Sequence, residues 1–218
     1  FSTSQPPSSL CILSLSTPPS SQLLSPACTD TGTNVTKAVG RSVTFQIQSP
    51  YGKTAAWSFR NDVILTVKLV DPPEVTFFDD NYKLRLAFSE NGSALTIPQL
   101  RMDDAGTYTA KISGVKTNFI LRVYRELAVP TVTCVAKNCS ANSCHYTLHC
   151  TASGSGYGEV SYGWSMGERL LSERPTVLVE SLPESPLTCV AQNPVSSRNA
   201  TVISAAALCA GNSCGNIA

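Results

Sequence analysis

Residues 104–110, Asp-Ala-Gly-Thr-Tyr-Thr-Ala, restrict the fold of this chain more than any other part of its sequence. In a two-sheet β-sandwich, a tyrosine in the Asp-x-Gly-x-Tyr pattern lies at the corner before a strand, two residues ahead of a half-cystine that bridges the sheets. Ala110 takes the place of that half-cystine here. A second strand of the same type, residues 187–194, carries its cysteine at Cys189. The sequence therefore predicts two sandwiches, the first of which has no bridge between its sheets.

The spacing of cysteine and tryptophan in the second half is that of an immunoglobulin domain. Trp164 follows Cys150 by 14 residues, and Cys189 follows after another 25. In the first half, Ile47 stands at the position of the first bridging cysteine, and Trp57 follows ten residues later. The predicted fold class is all-β, with two tandem immunoglobulin-like β-sandwiches: a variable-type domain without a disulfide, then a constant-like domain. The chain's 218 residues suit two such domains of about 100 residues each.

The composition changes along the chain predict where these domains begin and end. Residues 1–28 are rich in serine and proline and lack periodicity, so we expect an extended or disordered leader. Residues 29–124 form the variable-type domain and residues 131–210 the constant-like domain. Residues 125–130 between them are too short and too apolar for a loose linker, which predicts a stiff junction. Residues 211–218 are left as a stem.

Apolar and polar residues alternate along the first domain, as in strands with one buried and one exposed face. Residues 64–70 leave room for the extra middle strands of a variable-type domain. Arg85 and Asp104 are the expected ion pair across its bottom. The missing bridge, across roughly 60 residues, forfeits about 4 kcal/mol of loop entropy. Burial of large apolar side chains, at roughly 1.5–3 kcal/mol each, offsets this loss. The predicted inward positions are Val43, Phe45, Ile47, Trp57, Leu84, Leu86, Phe88, Leu95, Ile97, Tyr108, Ala110, Ile112, Phe119, Leu121 and Val123.

Charge and cysteine content indicate the compartment. The chain carries 16 basic and 15 acidic residues, a balance that argues against a nucleic-acid partner. Nine cysteines in a strand-rich sequence favour an oxidising compartment, so we expect a cell-surface or secreted protein. No run of about 18 apolar residues predicts a membrane span, which leaves open a soluble protein or an ectodomain cut from its anchor.

Four Asn-x-Ser/Thr sequons agree with that compartment, because glycans are added to secreted surfaces. They predict glycosylation at Asn34, Asn91, Asn138 and Asn199. Glycosylation of Asn138 is blocked if Cys139 oxidises first.

The sequence offers no arrangement of residues suited to catalysis. Residues 144–150 (CHYTLHC) superficially resemble a zinc cluster. On a strand, however, the two cysteines face one side and the two histidines the other, and ligands on opposite faces cannot surround one ion. The glycines at positions 154–158 are loop residues, since no helix follows them to cradle a phosphate. We therefore expect no enzyme, no metal, no cofactor and no small-molecule substrate.

A binding function would lie on the exposed face of the first domain's sheet that carries its third, sixth and seventh strands. Strand parity selects the candidates, because neighbours of inward residues such as Trp57 and Tyr108 point outward. None of the four sequons is expected on this face. The predicted ligand-binding residues are Ser58, Arg60, Thr66, Lys68, Thr109, Lys111, Ile120 and Arg122.

Three segments of the chain together are typical of one receptor family: residues 102–108 (MDDAGTY), 121–127 (LRVYREL) and 189–196 (CVAQNPVS). With them the chain resembles the SLAM (signalling lymphocytic activation molecule) family of leukocyte receptors, a branch of the immunoglobulin superfamily. That family pairs a variable-type domain lacking its disulfide with a constant-like domain carrying two. The resemblance covers roughly residues 30 to 210.

The resemblance also implies a set of disulfides. Cys144 would bond Cys209, beside the Cys150–Cys189 bridge that the spacing predicts. Three cysteines exceed the family's usual set and two more lie in the leader, and the pairing of all five is left open: Cys11, Cys28, Cys134, Cys139 and Cys214.

By this resemblance the chain is the ectodomain of a leukocyte cell-surface adhesion or co-signalling receptor. It would bind an immunoglobulin-superfamily receptor of the same family on a facing cell. The alternatives are a soluble decoy or immunomodulatory ligand that uses the same face, and a structural adhesion molecule of epithelial or glial type. Arg60, Lys68, Lys111 and Arg122 would make the face basic, and two such faces would repel each other. This favours a heterophilic partner. A homodimer, which would be weak, is left open, and it needs the acidic loop around Asp71 and Glu74 to reach the partner's basic residues.

Overall fold

The computed structural model describes residues 32–47, 53–180 and 186–210. Over these residues the chain forms two β-sandwiches in tandem, which confirms the predicted all-β, immunoglobulin-like fold. The predicted leader and stem, residues 1–28 and 211–218, lie outside the described residues.

The first domain is a sandwich of two sheets. Its described elements are β1 (Thr33–Ala38), β2 (Val43–Gln46), β3 (Thr54–Phe59), β4 (Asp62–Lys68), β5 (Glu74–Phe77), α1 (Asp80–Lys83), β6 (Ala87–Phe88), β7 (Ala94–Ile97), a 3-10 turn (Met102–Asp104), β8 (Gly106–Ile112) and β9 (Val115–Tyr124). The larger sheet has the order β1-β9-β8-β3-β4-β5, with β1 parallel to β9, and the smaller has the order β2-β7-β6. β4 and β5 are the extra middle strands of a variable-type domain.

Four aromatic rings pack between the two sheets of the first domain. The ring centroid of Phe45 lies 6.2 Å from that of Trp57, 5.0 Å from that of Tyr108 and 4.9 Å from that of Phe119. Trp57 and Phe119 are 5.9 Å apart by the same measure. Aromatic pairs at such distances each contribute about 0.5–1.5 kcal/mol beyond the burial of their surface.

Apolar residues occupy the two positions at which an immunoglobulin domain carries its bridging cysteines. Ile47 is 5% exposed and Ala110 is 2% exposed, and both belong to the same core as the aromatic rings. The first domain is therefore held together by packing where a covalent bridge would otherwise stand.

An ion pair closes the bottom of this domain next to the tyrosine corner. Both terminal nitrogens of Arg85 donate hydrogen bonds to the Asp104 carboxylate, at 2.9 Å and 2.7 Å, which confirms the predicted pair. The backbone N–H of Arg101 donates to the same carboxylate at 2.7 Å, and the Tyr108 hydroxyl donates to the Asp104 carbonyl at 2.9 Å. Burial alone would raise the pKa of Asp104, but the hydrogen bonds from Arg85 and Arg101 outweigh burial and hold that pKa below its usual value.

The structure differs from the predicted alternation at Leu84, which is 96% exposed. Just before it, α1 makes a single helical turn, and the side chain of Asp79 caps that turn by accepting a hydrogen bond from the Asn81 N–H at 2.9 Å. Leu84 is the residue that ends this turn. The prediction of an inward Leu84 is wrong because the turn displaces the strand pattern, which resumes only at β6.

The second domain is a smaller sandwich around Trp164. Its described elements are β10 (Thr131–Cys139), β11 (Cys144–Thr151), β12 (Ser161–Met166), β13 (Arg169–Ser172), β14 (Thr176–Glu180), β15 (Leu187–Asn193), β16 (Ser196–Val202) and α2 (Ala205–Leu208). The sheets have the orders β10-β11-β14 and β13-β12-β15-β16. Trp164 is fully buried, and the predicted Cys150–Cys189 disulfide joins the two sheets beside it.

The predicted Cys144–Cys209 disulfide is wrong. Cys144 is bonded to Cys139, and Cys209 is bonded to Cys134. Cys139 and Cys144 lie directly opposite each other at the turn of the β10–β11 hairpin, so each is the other's nearest partner along the chain. Cys134 is buried on β10, and α2 packs against β10 and β11, which brings Cys209 to it.

We predict that Asp104→Ala lowers the free energy of unfolding of the first domain by roughly 3–5 kcal/mol, because Arg85 is left unpaired in a mostly buried site. The pKa of Asp104 is lower in the folded chain than in the unfolded chain. Its stabilisation is therefore complete above the unfolded pKa, about 3.9, and is lost as the pH falls through the folded pKa. Urea denaturation of the parent and the variant at a series of pH values measures the loss of stability and its pH dependence. Hydrogen exchange of the β8 amides then shows whether the loss falls on the first domain.

The exposed Lys68–Glu74 ion pair is the control for this prediction. Glu74→Ala should change the free energy of unfolding by less than about 1 kcal/mol, because solvent screens that pair. Equal losses from the two substitutions would contradict a special role for Asp104.

Candidate functional site

The larger sheet of the first domain has one side turned toward the core and one side left uncovered. Across its middle, Lys111 is registered with Ala56, Ala56 with Thr66, and Thr66 with Thr76. Registered residues point to the same side of a sheet, and the residues that alternate with these, such as Trp57, are buried. We call the uncovered side, from β1 to β5, the front face.

The structure places seven of the eight predicted binding residues on the front face. The strand registers settle their direction, including that of the two residues on β4. The seven are Ser58, Thr66, Lys68, Thr109, Lys111, Ile120 and Arg122.

Arg60 is the exception, and its predicted place on the front face is wrong. It lies in the turn between β3 and β4 with a positive φ of 51°, which redirects its side chain away from the strand alternation. Its guanidinium stacks over the Phe59 ring, 4.7 Å from the centroid, and donates a hydrogen bond to the Ala105 carbonyl at 2.9 Å. Arg60 therefore belongs to the bottom edge of the domain.

Two exposed apolar side chains lie at the lower end of β4 and β5 and were not among the predicted residues. Val63 is 49% exposed and is registered with Ser58, so it points out of the front face. Phe78, just past β5, is 64% exposed, and its N–H donates to the carbonyl of Ile64, the neighbour of Val63. A β-bulge between Trp57 and Ser58 inserts one residue into β4, and this reverses the parity that a regular strand would give.

The charges on the front face are separated. Lys111 and Lys116 are registered across β8 and β9, and Arg122 lies farther along β9. On β4 and β5, Lys68 forms an ion pair with Glu74, so its charge is balanced within the face. The basic residues that remain without such a partner on the face lie toward β8 and β9.

The expectation that no sequon lies on this face is wrong for Asn34. β1 runs parallel to β9, and Asn34 is registered with Ile120, so its side chain leaves the sheet on the front side. Asn34 is exposed, and a glycan there would stand at the β1 edge of the front face. The other three sequon asparagines, Asn91, Asn138 and Asn199, are exposed in positions away from this face.

A buried amide joins the first domain's exit to the second domain. Asn193 is 6% exposed, and its side-chain Nδ2 donates to the carbonyls of Arg125, at 2.8 Å, and Tyr157, at 3.0 Å. Its Oδ1 accepts from the N–H of Val195 at 3.2 Å and from the N–H and hydroxyl of Ser196, both at 2.8 Å. The amide thus uses both of its donors and its acceptor within the junction.

Further contacts cross the junction at its surface. The N–H of Leu127 donates to the Ser196 hydroxyl at 2.8 Å. The carboxylate of Glu126 accepts from Arg41 of the first domain at 3.2 Å and from Arg198 of the second at 3.1 Å. Exposed ion pairs of this kind contribute about 0–1 kcal/mol each, so we expect the Asn193 amide to matter more.

A glycine permits the close approach of the two domains. Gly158, with φ of +70°, lies against the ring of Tyr124, and a Cβ at this position would lie 2.5 Å from a ring carbon. A side chain at Gly158 would therefore push Tyr124 away as well as strain the backbone.

The described residues contain no group of three or more histidine, cysteine, aspartate or glutamate side chains that could hold a metal ion. Both cysteines of the sequence that resembled a zinc cluster, Cys144 and Cys150, are in disulfides. None of the described helices is long and apolar enough to cross a membrane.

Comparison with known structures shows the fold. The CD2-binding domain of CD58 superposes with a TM-score of 0.58 at 20% identity, covering 79% of this chain and 96% of that one. Murine CEACAM1b gives a TM-score of 0.58 at 16% identity, covering 77% and 93%. The two sandwiches therefore have the immunoglobulin-like fold.

Sequence comparison gives the family. Mouse SLAM family member 5 is 33% identical over 178 residues, which cover 75% of this chain and 52% of the relative. Human SLAM family member 5 is 34% identical over 187 residues, covering 79% and 52%, and human T-lymphocyte surface antigen Ly-9 is 33% identical over 148 residues, covering 62% and 22%. The chain belongs to the SLAM family. It spans about half the length of the two SLAM family member 5 proteins, and no family model matches it.

Membership of the SLAM family supports the expectation that the chain is not an enzyme. The separate expectations about cofactors and small-molecule substrates rest on the sequence argument alone.

We predict that Asn193→Asp loosens the junction. The substitution replaces both donors to the Arg125 and Tyr157 carbonyls by a carboxylate oxygen, while the acceptor toward Ser196 is kept. Three oxygens then face one another in a buried site, and we expect a loss of roughly 1–3 kcal/mol in second-domain stability. Residual dipolar couplings measured on both domains should show a wider range of domain orientations.

Glu126→Gln is the matched control, because it weakens only the exposed bridge between Arg41 and Arg198. This variant should keep the domain orientation of the parent protein. If Asn193→Asp leaves the couplings unchanged, the amide does not set the orientation.

Proposed function

We propose that this chain is the ectodomain of a leukocyte cell-surface receptor for adhesion or co-signalling. Its first domain docks through the front face onto a like-built domain of a SLAM-family receptor on a facing cell. Kinship with SLAM family members, one of them named a T-lymphocyte surface antigen, supports the cell type and the location. The observation that carries the docking proposal is the front face itself, a broad sheet surface that no other part of the described chain covers.

The side chains of the front face suit contact with another sheet. Its centre consists of short residues, among them Ala56, Ser58 and Thr66, which lose little rotamer freedom when covered. Val63 and Phe78 supply exposed apolar surface at its lower end, and a few such buried anchors dominate most protein interfaces.

The charge pattern is compatible with a partner of the same family, a second copy included. We expected a heterophilic partner because four basic residues would make the face basic. Of these four, Arg60 lies off the face, and Glu74 balances the charge of Lys68. A two-fold docking that sets the β8–β9 side of one copy against the β5 side of the other places Lys111 opposite the balanced Lys68–Glu74 pair, where it does not face another unpaired basic residue. An isologous interface of this kind avoids opposing like charges.

The Asn34 glycan limits where the partner can sit. A glycan at the β1 edge would stand beside Ile120 and cover that end of the face. The proposed contact area therefore extends over β8, β3, β4, β5 and the part of β9 around Arg122, and away from β1.

Reversing two charges tests the proposal. Lys111→Glu combined with Arg122→Glu should weaken binding of the two-domain protein to its SLAM-family partner by about tenfold or more, mainly through slower association. The natural partner is found by surface plasmon resonance against a panel of SLAM-family ectodomains that includes this chain itself. Self-association is measured in parallel by sedimentation equilibrium. The loss should shrink at high salt, because salt screens charges at the rim of an interface.

The same change in net charge made elsewhere is the control. Lys137 and Arg169 are exposed on the second domain, and their double reversal to glutamate should leave the affinity unchanged. If Lys111→Glu/Arg122→Glu keeps full affinity while circular dichroism shows a folded protein, the front face is not the docking site.

A further inference from the structure

One sequon of this chain has a half-cystine in its middle position. Residues 138–140 read Asn-Cys-Ser, and Cys139 is bonded to Cys144, five residues further along. The two cysteines are registered with each other at the last pair of the β10–β11 ladder, and the neighbouring pair is Asn138 with His145. The sequon is therefore part of a small covalent ring at the end of a hairpin.

The hydroxyl of the sequon is also engaged in this ring. The Ser140 N–H donates to the Ser143 carbonyl at 2.8 Å, and the Ser140 hydroxyl donates to the same carbonyl at 3.2 Å. Glycosylation requires an acceptor segment that can leave its own structure and present both the asparagine amide and the hydroxyl two residues later. The closed hairpin holds the Asn138 backbone in a ladder and the Ser140 hydroxyl in a turn.

The other three sequons are not tied in this way. Their middle residues are Val35, Gly92 and Ala200, which form no covalent link. They can open whenever the surrounding strands have not yet paired. The Asn138 sequon cannot open while the Cys139–Cys144 bond exists, whatever the rest of the chain does.

We propose that the Cys139–Cys144 disulfide controls glycosylation of Asn138. In the open, dithiol form, Asn138 Nδ2 attacks the first sugar carbon of a lipid-linked oligosaccharide. A carbon–nitrogen bond forms, the bond from that carbon to the lipid diphosphate breaks, Nδ2 loses a proton, and the lipid diphosphate leaves. In the closed form, made when the two thiols lose two protons and two electrons to a thiol–disulfide oxidant, the transfer does not occur.

The disulfide prevents glycosylation of Asn138, but a glycan on Asn138 does not prevent the disulfide. Asn138 is exposed, so a glycan added before oxidation leaves room for the disulfide to form afterwards. The ring closes over a short stretch of chain, and local closures of this kind are fast compared with long-range pairing. The protein should therefore exist in two forms, bridged without a glycan at Asn138 and bridged with one, and the bare form should predominate.

The inference does not depend on the docking face. β10 begins at the junction and ends at Cys139, so Asn138 lies at the end of the second domain that points away from the first. Failure of the docking experiment and failure of the experiment below are separate results.

Site occupancy at Asn138 in four proteins tests the proposal. The full chain is expressed in a secretory mammalian host with Cys139→Ser, with Cys144→Ser, with both substitutions, and unchanged. Cys144→Ser is decisive, because it removes the disulfide and leaves the Asn-Cys-Ser sequon intact. Mass spectrometry of glycopeptides from newly made intracellular chains should show a rise in Asn138 occupancy of roughly twofold or more in all three variants.

The three sequons that carry no substitution serve as internal controls. The measurement of occupancy does not require the variants to fold or be secreted. Occupancy at Asn34, Asn91 and Asn199 should be the same in all four proteins. A short treatment of cells with a membrane-permeant dithiol during synthesis should raise Asn138 occupancy in the unchanged chain. Full occupancy of Asn138 in the unchanged chain overturns the proposal, and so does a Cys144→Ser variant with the occupancy of the parent.

Discussion

The contact of Phe45 with Trp57, Tyr108 and Phe119 between the two sheets is the interaction on which the first domain depends. With Ile47 and Ala110 at the bridging positions, no disulfide joins the sheets there. The aromatic rings lie within 6.2 Å of Phe45, and each such pair contributes about 0.5–1.5 kcal/mol beyond area burial. Three such contacts and the burial of the rings are of the size needed to replace the roughly 4 kcal/mol of a bridge across this span.

The second domain is stabilised by disulfides, whereas the first is stabilised by packing, and the two domains are joined at the junction. Three disulfides hold its described part, including one that fixes α2 to β10. The side chain of Asn193 donates a hydrogen bond to the Arg125 carbonyl, where the chain leaves the first domain, and accepts one from the Ser196 N–H of the second domain. A face on the first domain can therefore be presented in a defined direction although that domain has no bridge of its own.

The sequence predicted most of the fold but less of the site, for reasons that particular residues show. Period-two alternation and the tyrosine corner are local patterns, and they placed Trp57 and Tyr108 inward. Arg60 was misplaced because the positive φ of a turn residue is invisible to strand parity. Val63 was missed because a bulge reverses parity inside an unbroken apolar run. The partner of Cys144, which is Cys139, was predicted wrongly because disulfide partners depend on distances between strands, and the spacing of cysteines along the chain does not give those distances.

Asn34 shows how a single strand pairing can alter a functional argument. A parallel edge strand is not joined to its neighbour by a hairpin, so the sequence does not indicate which strand it pairs with. The register of β1 on β9 shows that Asn34 and Ile120 lie on the same side of the sheet. A glycan at Asn34 would cover this edge, and the other edge carries the balanced Lys68–Glu74 pair, so the short side chains of β3, β4 and β8 lie between them. Because a sheet can approach another sheet closely only where side chains are short, a glycan at Asn34 and these short side chains would together favour contact on the β3–β4 side of the domain.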